Sequence, residues 1–163
     1  MNTRDAIRST MDISSMVLRK YLSDLTDAEL LIRPVKGCNH IAYQLGHLIT
    51  SECGLLEAVA PGTAPALPAG FKEAYGKENS SCDDPQKFCS KQQYLELLGA
   101  VNAATLKALN ATTDADLDQP SPESLRKMFP TVGMIYVLIA THPLMHAGQF
   151  VPVRRALNKP VLM

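Results

Sequence analysis

The chain has 163 residues, 46% of them hydrophobic, which suits one globular domain over residues 1–163 with a substantial core. Sixteen Lys and Arg balance sixteen Asp and Glu, so no global field draws the chain to nucleic acid or to an anionic membrane. Four cysteines at irregular spacing, with no C-x-x-C pair, are too few for a disulfide framework and offer little support for a cysteine-ligated metal.

Residues 1–24 mix Arg4, Asp5, Arg8, Asp12, Arg19 and Lys20 among apolar side chains. This is neither a signal-peptide core nor a spanning segment, and a cytoplasmic protein is expected. Ile7, Met11, Ile13, Met16, Leu18, Leu22 and Leu25 recur mostly every three or four positions, which predicts an amphipathic helix over 3–24 capped by Asn2 or Thr3. Thr26 ahead of "DAEL" starts a short helix that Pro34 and Gly37 end.

Asn39 precedes a second long helix in which Ile41, Leu45, Leu48, Ile49, Leu55, Leu56 and Val59 form the buried stripe, before Pro61 and Gly62 stop it. Residues 61–89 are rich in Pro, Gly, Ser, Asn and Asp and predict a long outer connection, of the kind that is often functional. Ser90 caps a third helix that turns Tyr94, Leu97, Leu98, Val101, Leu106 and Leu109 inward, and Thr131 opens a fourth that runs to about Leu157. Four long helices without a strand pattern predict an all-α four-helix bundle, with a crossover loop between the second and third.

The chemistry concentrates in "ATHPLMHAGQFVPVRRAL", residues 140–157. His142 and His146, four apart on a helix, lie about 40° apart around its axis and roughly 6 Å along it, so both imidazoles reach one point. A third ligand would come from the bundle interior, and His47 is the candidate. Three imidazoles leave coordination positions open, the pattern of a catalytic site. Imidazole also accepts Cu and Fe, but Zn or Ni is the expected ion. The alternative for such a pair is a polar patch or two satisfied core histidines. His40, seven residues before His47, is too far along the helix to share the ion and reads as a cap or pocket-rim residue.

Around the histidines, Gln149 can present its amide to a bound water or ligand, or equally make a packing hydrogen bond. Arg154 and Arg155 suit the negative end of the helix dipole. Pro143 removes a backbone donor and should kink or loosen the helix at the ligand pair, while Gly148 would permit close packing. No general base is evident, and Glu52 reads as a solvated or bundle-edge acid.

"YQLGHLITSE" and "HPLMHAGQFVPVRRALNKP" resemble the DinB-like metalloprotein family, the late H-x-x-x-H followed by G-Q and R-R being the more specific segment. The resemblance implies an up-up-down-down bundle in which His47, His142 and His146 bind a divalent metal. It also implies a small-molecule substrate, a low-molecular-weight thiol cosubstrate and a homodimer, since the family includes thiol-dependent transferases and isomerases. A metal-dependent hydrolase or thiol S-transferase is the implied activity, with a non-catalytic metal-binding or stress-response bundle as the alternative. The family commonly has an aromatic residue, often Trp, before the first histidine; this chain has Tyr43.

Overall fold

The Asn2 side chain accepts from the Asp5 amide and starts α1, Thr3–Leu22. This is the first element of a computed structural model that describes residues 1–162; Met163, the end of the expected domain, lies outside them. Ile7, Met11, Ser14, Leu18, Tyr21 and Leu22 form the buried face of α1. Ile13 and Met16, expected in that stripe, are 53% and 52% exposed. They sit two and five positions past Met11, roughly 200° and 140° around the helix from it.

His40 caps α2, Ile41–Val59: its Nδ1 accepts from the Tyr43 amide, and its Nε2 lies 3.0 Å from the Cys82 carbonyl oxygen. The connection that follows carries the short helix Phe71–Ala74 and turns at Lys77–Asn79 and Pro85–Lys87. It is anchored rather than loose. Arg33 donates to the Asp83 carboxylate and to the carbonyls of Cys38, Ser80 and Cys82, while Phe71 and Tyr75 are buried. The Tyr75 ring lies so close to α2 that a Cβ at Gly46 would be 2.1 Å from it.

A reciprocal pair of hydrogen bonds between Ser90 and Gln93 starts α3, Lys91–Ala111, and Thr131 caps α4, Val132–Ala156. The last helix is continuous through Pro143 and Pro152. Gly148 has open space where a Cβ would stand, so close packing is not its role.

Side-chain links set the helix directions. Lys91 at the start of α3 donates its amide to Asp27 beyond the end of α1, while Arg4 near the start of α1 donates to the Thr112 carbonyl after α3. These two helices are therefore antiparallel. Ile7 and Met11 cluster with Tyr136 and Ala140, and Arg154 near the end of α4 reaches Tyr21 and Asp24 at the end of α1, so α1 and α4 are parallel. Gln44 faces His146, and Ser51 and Leu138 line the same cavity, so α2 runs antiparallel to α4.

The bundle is thus up-down-down-up, in place of the expected up-up-down-down. The physical reason is the crossover over residues 60–90, which returns the chain to the end where α2 began; the other two connections join helices at one end. Arg154 also departs from a simple dipole role. It is fully buried, with Nη1 2.6 Å and Nη2 2.9 Å from the two Asp24 carboxylate oxygens.

Candidate metal centre

Position 47 on α2 and positions 142 and 146 on α4 meet where the antiparallel helices face each other. One ligand nitrogen from each of His47, His142 and His146 lies within 4.8 Å of the others. The imidazole centroids of His142 and His146 are 4.8 Å apart, and that of His47 is 5.9 Å and 5.6 Å from them. His40 belongs to the cap of α2 and is not in this group.

Gln44, one turn before His47, fixes the chemistry of His146. Its amide nitrogen donates to the Asn39 carbonyl, which directs the amide oxygen to His146 Nδ1 at 3.0 Å. An amide oxygen only accepts, so Nδ1 carries the proton and Nε2 is left with its lone pair. That nitrogen lies 3.1 Å from His142 Nε2. Two nitrogens on one tetrahedral zinc, at the usual Zn–N length, are about 3.3 Å apart.

Burial keeps all three imidazoles neutral at neutral pH. It lowers His47; with His47 beside it, it lowers His142 to about 4, and with both neighbours it lowers His146 to about 3. Neutral imidazoles are lone-pair donors, and the set includes no carboxylate to neutralise a dication. The buried Nδ1 of His142 has no hydrogen-bond partner in the protein. These residues fit a divalent ion bound by nitrogen.

The cluster has a closed and an open side. His146 is 8% exposed and backed by Gln44, whereas His47 and His142 are half-buried. Tyr43, one turn before His47, lays its ring parallel to that imidazole at 6.4 Å, and Ser51 Oγ lies 3.5 Å from His47 Nε2 on the following turn. A cavity of about 460 Å³ reaches His142 between α2 and α4.

Two expectations around the site change. Gln149 is exposed and shares the lining of a separate cavity with Gln44; the glutamine bonded to an imidazole is Gln44. Its position three residues before His47, on the same helix face, was the available signal. Glu52 is not solvated: it is 5% exposed, burial raises its carboxyl to about 8, and its Oε1 lacks a hydrogen-bond partner.

A family model described as the DinB superfamily matches residues 10–150. No curated protein matches the sequence. A crystal structure of a conserved protein from Enterococcus faecalis is similar at 18% identity with a TM-score of 0.70, covering 98% of this chain and 99% of that one. YfiT from Bacillus subtilis, described as a probable metal-dependent hydrolase with an unusual four-helix bundle topology, is similar at 17% identity with a TM-score of 0.63, covering 96% and 89%. Both likenesses are of fold.

Proposed function

The chain belongs to the DinB superfamily, and from that premise we propose that it is a metal-dependent enzyme acting on a small molecule at His47, His142 and His146. One observation carries the reading: three neutral imidazole nitrogens converge within 4.8 Å, with a half-buried side open to a cavity. The description of YfiT as a probable metal-dependent hydrolase supports the same reading. A bound Zn or Ni ion supplies Lewis acidity, which lowers the pKa of a water or thiol nucleophile.

The protein's own contribution is orientation. Gln44 holds His146 in the tautomer that presents Nε2, and Tyr43 stacks on His47 to limit its rotation. The Ser51 hydroxyl at the cavity wall is available to a nucleophile or substrate oxygen. Gln149, exposed on the turn after His146, would reach a ligand only from the separate cavity that it lines with Gln44. The whole of residues 1–163 is taken as one domain, working in the cytoplasm as a homodimer. No helix among the described residues is long and apolar enough to cross a membrane.

The test is turnover by zinc- or nickel-loaded protein on small esters and alkyl halides, each with and without a low-molecular-weight thiol. Ion-dependent turnover that His47→Ala abolishes supports the reading. A thiol requirement identifies a thiol S-transferase, and its absence a hydrolase. No ion-dependent turnover on either class favours the non-catalytic metal-binding bundle.

A further inference from the structure

The cavity beside His142 carries information about what enters it. From α2 it is lined by Ser51, Gly54, Leu55 and Ala58. These follow His47 by four, seven, eight and eleven positions and so continue its helix face for three turns. Leu138, one turn before His142, forms the opposite wall, and the turn at Glu123–Arg126 closes one edge with Ser124 and Leu125.

Apart from His142, no lining residue bears an ionisable side chain, and the only side-chain hydroxyls are those of Ser51 and Ser124. The space opens to water along one side, so a carboxylate or phosphate group in it would keep part of its hydration but would find no guanidinium, ammonium or amide array to favour it over water. An uncharged apolar group would gain by burial against Leu55, Ala58, Leu125 and Leu138. The volume, about 460 Å³, falls within the range of small-molecule sites.

Gly54 lines the space with no side chain of its own. It sits inside α2, where glycine is less favourable than alanine. No atom lies within 4 Å of where its Cβ would stand, so no close packing requires it. Its effect on the structure is an open wall two turns from His47.

We propose that this cavity binds the uncharged apolar portion of the substrate, an aryl or alkyl group joined to the reacting centre, and that Gly54 determines how large that group can be. The proposal rests on the metal-dependent reading only for what reacts at the inner end; the binding preference belongs to the cavity itself.

The experiment compares ethyl benzoate with benzoate, which share the aromatic ring but are uncharged and anionic respectively. Binding to the full chain is followed by the methyl resonances of Leu55, Ala58 and Leu138, without zinc so that no ion captures the carboxylate. The ester should bind at least tenfold more tightly than benzoate. Gly54→Ala should retain ester binding, and Gly54→Phe should weaken it at least tenfold with an unchanged circular dichroism spectrum; Gly54→Leu serves the same purpose if the phenylalanine variant does not fold. Equal binding of ester and benzoate, or undiminished ester binding by the bulky variant, would overturn the proposal. Zinc binding to the same samples is measured separately. A wild type that takes no zinc but prefers the ester would defeat the metal-dependent reading and leave the cavity assignment intact.

Discussion

The Gln44 amide oxygen and His146 Nδ1 face each other at 3.0 Å from antiparallel helices, and this contact decides which nitrogen of His146 faces His142. Partners of this kind are worth roughly 10- to 100-fold in metal affinity. Gln44→Leu, which keeps the volume and removes the acceptor, should weaken zinc binding by about that factor without changing helix content. Competition against a chromophoric chelator measures it. Unaltered affinity would mean that Gln44 only fills space.

The histidines make the metal-free fold acid-sensitive. Burial holds His142 at about 4 and His146 at about 3, below the ordinary value of 6.5. Above that ordinary value neither state takes up the proton and the stabilisation is complete. As pH falls toward the folded values, the unfolded chain binds protons that the fold excludes, so stability drops. The slope is at most about 1.4 kcal/mol per pH unit per histidine, less where water reaches the ring. Urea titrations at pH 7 and pH 5 should show the loss, and the His142→Gln, His146→Gln variant should show a flatter response.

Glu52 has the opposite sign. Burial raises its carboxyl from 4.5 to about 8, so between those values the fold keeps a proton that the unfolded chain has released. Its contribution declines as pH rises through that window and then levels off. Glu52→Gln removes the titration. The variant should gain stability relative to wild type from pH 5 to pH 8, by up to about 1.4 kcal/mol per pH unit. A constant difference across that range would show that Glu52 stays ionised in the fold.

Tyr75 of the crossover packs its ring over Gly46 on the helix carrying His47. A methyl group at position 46 would stand 2.1 Å from the ring, so the ring must move. Gly46→Ala should destabilise the fold by about 1–3 kcal/mol, and Tyr75→Ala in the same chain should reduce that increment. Chemical denaturation of the two single variants and the double variant reads the coupling.

The parts legible in the sequence were those encoded by local spacing. The four long helices, the Ser90 and Thr131 caps and the spacing of His142 and His146 each depend on neighbours within a turn or two. What was not legible depends on contacts between distant segments. The Gln44 to His146 bond joins residues 102 apart, and helix direction depends on the path of the crossover, which periodicity does not specify. Residue type also misled. Glu52 and Arg154 are ionisable residue types yet buried, the glutamate by keeping its proton and the arginine because Asp24 supplies a bidentate partner; Ile13 and Met16 are apolar yet exposed because the core occupies the other side of α1.

The most direct measurement is metal content by inductively coupled plasma mass spectrometry after reconstitution with zinc or nickel and removal of loosely bound ion. The wild type is set beside His47→Ala and the His142→Ala, His146→Ala double variant. The account predicts about one ion per chain in the wild type, greatly reduced in both variants that retain helix content. A wild type that takes up neither ion, or folded variants that keep it in full, would contradict a metal centre at these three histidines.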